Sequence, residues 1–390
     1  MFVKCLKIAN LLSFGPDTKE LPLSPLNVII GANGSGKSNF LEAISLLQAA
    51  PRELNKPIRD AGGIAEWLWK GGGDNSEASI EVLVERADGR SMSLRHCISI
   101  IESAHRLEIH REIIENEAPF SGHDKPVFYY KFECGRAYLN YAKEKKPREL
   151  KRETIHPAQS ILSQRKDVDS FPEVTRLGEE YSKIKMFREW SLGRFTIPRG
   201  FQDSASRNDF MDEDFSNLAM VINKLKGSAS SKKELLDNLK VLSSDIDDFD
   251  VQIEGAKVQV FFHEKGMKIP ATRLSDGTLR YLCLLAILCH PNPPPLVCIE
   301  EPEVGLHPDI IPTIAKLLIT ASKRMQLIVT THSDILVDEF TEMPESVIVC
   351  DKVDMQTIMR RLSQEDLSVW IDQYRLGNAW LNGRVGGVRW

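Results

Sequence analysis

The segment Gly31-Ala32-Asn33-Gly34-Ser35-Gly36-Lys37-Ser38 lies between a short, mostly apolar run (Leu26 to Ile30) and a helix pattern from Asn39 to Ala49 that repeats Phe40, Leu41, Ile44 and Leu47. Strand, glycine-rich turn and helix in that order confine the chain to an α/β layer architecture built around a buried strand. Successive backbone N–H groups of such a turn, with a helix N-terminus behind them, surround a phosphate, and glycine lets the backbone come close. Lys37 adds a point charge, and the Ser38 hydroxyl suits Mg²⁺. The match to G-x-x-x-x-G-K-S is complete. Gly31, Asn33, Gly34, Ser35, Gly36, Lys37, Ser38 and the adjoining Asn39 are therefore the expected residues for binding ATP with Mg²⁺.

Three later segments carry further chemistry. Leu296-Val-Cys-Ile-Glu300-Glu301-Pro302-Glu303 places two acids at the tip of an apolar strand, where open parallel sheets bind ligands. Adjacent carboxylates resist desolvation unless paired or linked to a metal. Glu300 is expected to hold Mg²⁺ or its water, and Glu301 to orient or deprotonate an attacking water. Leu327-Ile-Val-Thr-Thr-His332-Ser333 is a second buried strand, tipped by a histidine able to hydrogen-bond a γ-phosphate. Arg273-Leu274-Ser275-Asp276-Gly277-Thr278 opens a helix near Leu279 and offers hydroxyl and backbone donors to an anion; a simple N-cap is the alternative.

At 390 residues the chain can hold one large α/β domain with an insertion, or two domains. A net charge of −5 gives no whole-chain support for nucleic-acid binding. Lys143 to Arg199, however, holds fourteen Lys/Arg against nine Asp/Glu, and is either a solvated face or a DNA-contacting one. No apolar run reaches membrane-span length, and the start reads as a strand rather than a signal peptide, so a cytoplasmic location is expected. The seven cysteines are scattered, with no Cys-x-x-Cys, and are expected as reduced thiols; the nine histidines show no ligand spacing, and His105 and His110 read as surface residues. Asp245, Asp247, Asp248 and Asp250 read as a solvated loop, and Trp67 to Gly73 as two indoles packed beside a flexible loop.

Strands are expected at 2–14, 78–84, 91–101, 107–110 and 127–132, the later ones alternating as in an antiparallel sheet with one solvated face, and again at 251–253 and 258–262. The expected organisation is 1–140, an N-terminal lobe with the phosphate loop and an antiparallel β subdomain; 141–240, a mainly helical insertion; 241–350, a C-terminal lobe; and 351–390, an extension. No heptads persist over three turns, which excludes a long coiled coil.

The order and spacing of the four motifs resemble the ATP-binding-cassette head domains of the structural-maintenance-of-chromosomes and RecF group, and among them a set of compact bacterial ATPases without long coiled coils. The ending, Leu376-Gly377 and Gly386 to Trp390, is similar to theirs. The resemblance implies an α/β P-loop NTPase fold in which Gly31 to Ser38 is Walker A, Leu274 to Thr278 the signature, Glu300 and Glu301 the Walker B acids, Glu303 to His307 the D-loop and His332 the switch histidine. It also implies a metal-linked glutamine, for which Gln164 is the candidate and Gln159 the alternative. Glu300 stands where many cassettes carry Asp, and Asp276 and Thr278 stand where Gly and Gln are usual, which implies retained but slow hydrolysis. In such a protein Ser275 and Gly277 cap the γ-phosphate held by a second copy, so ATP closes a head-to-tail homodimer. The implied role is a DNA-associated ATPase in genome maintenance or defence against foreign DNA, acting with a separate nuclease or effector and no membrane. The alternatives are an ATP-sensing subunit of a toxin or nuclease complex, a P-loop phosphotransferase and a transporter ATPase.

Overall fold

The computed structural model describes residues 1–71, 77–86, 92–142, 147–367 and 374–387. Sequence readings that fall on Gly72, Gly73, Ser91, Lys143, Lys145, Lys146 and Val388 to Trp390 lie outside the described residues. The chain forms two compact units. One comprises Met1–Ile184 and Ile348–Leu362 with the chain end from Val385; the other comprises Lys185–Val347 and Ser363–Arg384. The break at Ile184 falls inside the stretch 141–240, whose described part holds four helices with short strands between them.

The first unit carries an eight-stranded sheet in the order Leu21–Pro22, Val3–Ala9, Ala78–Val84, Leu94–Ser103, Arg106–Asn116, Phe128–Glu133, Arg136–Leu139, Arg148–Leu150. Every neighbouring pair is antiparallel. Alternation along the strands turns Ile80, Ile98 and Ile100 to one face, where they line a small apolar gap with Leu46 and Leu47 of the helix Lys37–Ala49. The first strand stops at Ala9, short of the expected residue 14, because Asn10 and Leu12 adopt positive φ (52° and 55°) and turn the chain. Trp67 is buried there, its carbonyl accepting from the Leu12 N–H at 2.6 Å.

A fully buried polar network ties this sheet to the segment that follows it. Glu112 accepts from the Ser160 hydroxyl and, at 2.9 Å, from the Ile161 N–H, while His96 Nε2 lies 3.3 Å away and His96 Nδ1 lies 3.1 Å from the Tyr181 hydroxyl. Ser160 in turn caps the short helix Ile161–Gln164. Strand Leu26–Ile30 is buried throughout, and a hairpin over residues 348–361 returns to this unit, pairing Ile348 with Arg361 and Val353 with Gln356.

In the second unit Lys185–Phe187, Leu296–Glu300 and Gln326–Thr330 pair in parallel, in that order. The last two are buried almost without interruption, as strands covered on both faces are. Helix Asp276–Leu288 is buried from Leu279 onward except at the half-buried Arg280, and its sequence there is otherwise apolar on all sides. Among the described residues no helix is long and apolar enough to cross a membrane.

An antiparallel sheet of Gln202–Asp203, Ile246–Glu254, Lys257–Glu264 and Met267–Pro270 completes the unit. This corrects the reading of the aspartate run as a loop. Asp247, Asp248 and Asp250 lie in the strand Ile246–Glu254, because Lys232 pairs with Asp248 at 2.9 Å, Lys226 pairs with Asp250, and the flanking Asp245 pairs with Lys265 at 2.6 Å. Burial of Phe249 and Val251 keeps the period of two, which a bulge interrupts after the buried Ile246. No cysteine is in a disulfide among the described residues.

The Glu112 network generates a stability prediction. Alanine at Glu112 leaves buried donors without their acceptor, and the expected loss is about 3 kcal/mol, read as a lower urea midpoint for the wild-type-minus-variant comparison. Glu112→Gln keeps one acceptor oxygen and should lose less; equal losses for the two variants would contradict this account.

Candidate functional site

The phosphate loop leaves the end of strand Leu26–Ile30 and enters helix Lys37–Ala49 with no side chain capping the helix N-terminus and no acid in its first turn. Such an end presents backbone N–H groups and a positive dipole to an anion. Two of its glycines are required by close approach: a Cβ on Gly31 would strike the Cys350 carbonyl, and a Cβ on Gly36, at φ 112°, would strike Thr357 Oγ1 and approach Ser13 Oγ to 2.8 Å. Gly34, at φ 78°, has nothing within 4 Å of its would-be Cβ and faces open space.

Lys37 is buried and folds back, Nζ donating to the carbonyls of Gly31 at 2.8 Å and Ala32 at 3.1 Å. Ser35 Oγ is buried without a hydrogen-bond partner. A glycine-lined cradle holding an orphaned Ser35 hydroxyl, with the Lys37 ammonium folded against the carbonyls of Gly31 and Ala32, fits a phosphate ligand.

The hairpin over 348–361 holds this loop from behind. Thr357, which the sequence reading did not single out, donates from Oγ1 to the Ser35 carbonyl at 2.7 Å and lies 2.6 Å from Ser13 Oγ, which also accepts from Asn39 Nδ2 at 2.7 Å. The Cys350 thiol donates to the same Ser35 carbonyl at 3.4 Å, and burial pushes its pKa up to about 11, keeping it a protonated donor.

The second unit gathers the acids and the histidine by strand register. Phe187 pairs with Ile299, so Arg188 falls beside Glu300, and its Nε lies 3.0 Å from Glu300 Oε2. Trp190 Nε1 donates to the Glu300 carbonyl at 2.8 Å. Glu300 pairs with Thr330, which brings the next residue, Glu301, beside the turn carrying His332: Glu301 Oε1 and His332 Nε2 are 3.5 Å apart, each 37% exposed. Glu301 sits at φ 48°, a left-handed conformation costly for a non-glycine residue, held by its N–H donating to the Thr330 carbonyl at 3.0 Å and by Arg280 Nη1 donating to its own carbonyl at 3.3 Å. Arg280 also stacks over Trp190, 4.7 Å from the ring centroid.

Glu303 fixes the turn that carries His332. Buried, it accepts at Oε1 from Thr331 Oγ1 at 2.6 Å and from the His332 N–H at 3.1 Å, while Oε2 is buried without a partner. Desolvation raises its pKa, against the lowering effect of those hydrogen bonds.

Ser275 is the N-cap of helix Asp276–Leu288, its Oγ accepting from the Thr278 N–H at 3.0 Å. Gly277 lies so close to the Glu303–His307 turn that a Cβ would come to 2.8 Å of the Gly305 carbonyl. Asp276, which departs from the resembled pattern, pairs with buried Arg199, and Arg199 also donates to the Leu274 carbonyl.

Gln164 is engaged within its own loop: Oε1 accepts from the His156 N–H at 2.8 Å and Nε2 donates to the Gln159 carbonyl at 2.6 Å. A metal role would require it to leave both. The Ser38 hydroxyl in the first unit and the Glu300 carboxylate in the second are each a hard oxygen of the kind Mg²⁺ takes, and no group of three or more His, Cys, Asp or Glu able to hold a metal exists among the described residues.

Glu303 gives a pH-dependent prediction. Its folded pKa lies above the ordinary 4.5, so its contribution is most favourable below pH 4.5 and is lost as pH rises through the folded value. Glu303→Gln removes that loss, so its stability relative to wild type should improve from pH 4 to pH 7 in paired denaturation curves. Glu303→Ala, which orphans the Thr331 hydroxyl and the His332 N–H, should lose about 1–3 kcal/mol at either pH.

Comparison with known proteins places this arrangement. The Smc head bound to the C-winged helix domain of ScpA superposes with a TM-score of 0.58 at 14% identity, covering 94% of this chain and 99% of that one. The Smc head with an extended coiled coil from Pyrococcus furiosus, bound to the C-terminal domain of ScpA, gives 0.58 at 12%, covering 95% and 99%. These likenesses show the P-loop head fold. The chromosome partition protein Smc of Synechocystis sp. is 32% identical over 94 residues, which are 24% of this chain and 8% of that protein. The profile of the family described as "AAA domain, putative AbiEii toxin, Type IV TA system" matches residues 26–338, a span that takes in the phosphate loop, the Ser275–Gly277 turn, both acids and His332. With about four fifths of its residues inside that match, the chain belongs to this AAA family.

Proposed function

We propose that the chain is an ATP-driven switch that binds Mg²⁺–ATP on Gly31 to Ser38, hydrolyses it slowly, and uses the bound nucleotide to join two copies head to tail. The observation that carries this reading is the 3.5 Å approach of Glu301 to His332, held in a strained backbone at the ends of two buried strands, in a chain with a complete phosphate loop. Lys37 exchanges its carbonyl partners for phosphate oxygens. Glu301 orients the attacking water and accepts its proton, and His332 donates from Nε2 to a γ-phosphate oxygen. Ser38 and Glu300 each offer an oxygen that would hold Mg²⁺, which would supply neutralisation of phosphate charge. Arg188 competes with it for Glu300, which is one cause of slow turnover. Ser275 and Gly277 contribute hydroxyl and N–H donors to the γ-phosphate held by the other copy, so each nucleotide is enclosed from both sides.

The biological setting we favour is an ATPase associated with DNA that works with a separate effector. Its support is the relative named for chromosome partition and the Smc heads solved with ScpA. The basic stretch 143–199 lends it little, since Lys183, Lys185, Arg188 and Arg199 are paired with Glu180, Asp212, Glu300 and Asp276. The family description, naming a toxin–antitoxin system, favours a second reading as the ATP-sensing subunit of a toxin complex.

Glu301→Gln should bind ATP like wild type, lose turnover by about 10²–10⁴-fold, and accumulate as a dimer with ATP in light scattering. Turnover within twofold of wild type, or a monomer at saturating ATP, would sink the mechanism. Duplex DNA should change wild-type turnover; no change favours the toxin-complex reading.

A further inference from the structure

Arg280 interrupts the otherwise apolar stretch Leu279 to Leu288 of the buried helix Asp276–Leu288, and it is itself half-buried. A guanidinium in such surroundings has to be matched by its neighbours. Its Nη1 donates to the Glu301 carbonyl at 3.3 Å, and its Cζ lies over the Trp190 ring at 4.7 Å from the centroid. Trp190 is a fixed plate. Its Nε1 donates to the Glu300 carbonyl at 2.8 Å, and its ring stacks on Phe215 at 5.1 Å and 23°, which stacks in turn on Phe187 at 5.5 Å. The backbone of both adjacent acids is therefore gripped, Glu300 by Trp190 and Glu301 by Arg280.

The same helix touches the acid-bearing turn a second time. Gly277 lies where a Cβ would come to 2.8 Å of the Gly305 carbonyl, and residues 277 and 280, three apart, share one side of the helix. Ser275, the N-cap, stands two residues before Gly277. A displacement of the helix start is thus passed to the turn without slack. Glu301 is the point that can respond, because its φ of 48° is kept only where the surroundings over-determine it, and this conformation holds its carboxylate 3.5 Å from His332. All of these residues lie within Lys185–Val347, inside one compact unit.

We infer that Arg280 is the positioning residue for Glu301, and that through it the Ser275–Gly277 turn sets the geometry of the water-orienting carboxylate on its own chain. The inference rests on the function proposed above, in which that turn takes the γ-phosphate held by the other copy while Glu301 serves its own copy's nucleotide. Engagement of the other copy's nucleotide draws on the helix start, and Arg280, between the Trp190 plate and the Glu301 carbonyl, carries the movement to the strained residue. Each copy then hydrolyses its own ATP only while it also holds that of the other. A flat, delocalised cation can stack on an indole and still donate at its edge; a lysine ammonium cannot do both in the same way.

The test compares full-length wild type, Arg280→Ala and Arg280→Lys in steady-state ATP turnover, with ATP affinity measured alongside. Arg280→Ala should lose turnover by about 10²-fold with ATP affinity unchanged, because the phosphate loop is untouched. Guanidinium ion, added well below denaturing concentrations, should restore part of that turnover and leave wild type unaffected. Arg280→Lys, which keeps the charge and most of the volume, should fold like wild type and still turn over more slowly. The relay is read from Trp190 emission, isolated as the difference between matched chains with and without Trp190→Phe: ATP should change it in Glu301→Gln but not in Ser275→Arg. Wild-type turnover by Arg280→Ala or Arg280→Lys overturns the inference and leaves the proposed hydrolysis standing. A loss that guanidinium fails to rescue, or that follows weaker ATP binding, makes Arg280 a packing residue and overturns it as well. An emission change that survives Ser275→Arg overturns the relay from the turn. Wild type without measurable turnover overturns the proposed function and the inference together.

Discussion

A turn that binds phosphate through backbone N–H groups must be held open before the anion arrives, because a flexible loop would have to be ordered at the expense of affinity. Here the holding is done from outside the loop. Thr357 and Cys350 converge on the Ser35 carbonyl, Ser13 links Thr357 to Asn39, and the missing side chains of Gly31 and Gly36 leave room for that hairpin to approach. The glycines of the motif thus serve two partners, the ligand in front and the supporting hairpin behind. Substitution of Gly36 by alanine would be felt on the supporting side first, where the contact is already at its limit.

The second unit meets a different constraint. For the proposed function its acids must be close enough to cooperate yet remain solvated enough to exchange protons and metal. Strand register does the placing: pairing of Phe187 with Ile299 sets Arg188 beside Glu300, and pairing of Glu300 with Thr330 sets Glu301 beside the His332 turn. Buried Glu303 then fixes the turn through Thr331 and the His332 N–H, beside the half-exposed Glu301–His332 pair. Packing and chemistry are assigned to different carboxylates within four residues of one another.

What was legible in the sequence was what local pattern encodes. The strand, loop and helix around Gly31 to Ser38, the apolar strands ending at Glu300 and Thr330, and the antiparallel run from Ala78 to Leu139 all follow from apolar spacing and turn chemistry. The supporting residues were not legible, because their partners are far along the chain. Arg188 and Arg199 counted only as part of a basic stretch until their acids, Glu300 and Asp276, came beside them. Thr357 is an ordinary strand threonine with no local signature. The aspartate run looked like a solvated loop because the lysines that neutralise it come from other elements. Positive φ at Leu12 and Glu301 is set by surrounding hydrogen bonds and carries no residue-type signal, unlike the glycines of the loop.

The hairpin behind the phosphate loop also sets the order of events during synthesis. Gly31 to Ser38 emerge early, but Cys350 and Thr357, which hold Ser35, are made more than 300 residues later. A nascent chain carrying the complete loop therefore lacks its support until the hairpin, more than 300 residues further on, has left the ribosome. Firm nucleotide binding, and any assembly that depends on it, is in this way withheld from truncated chains.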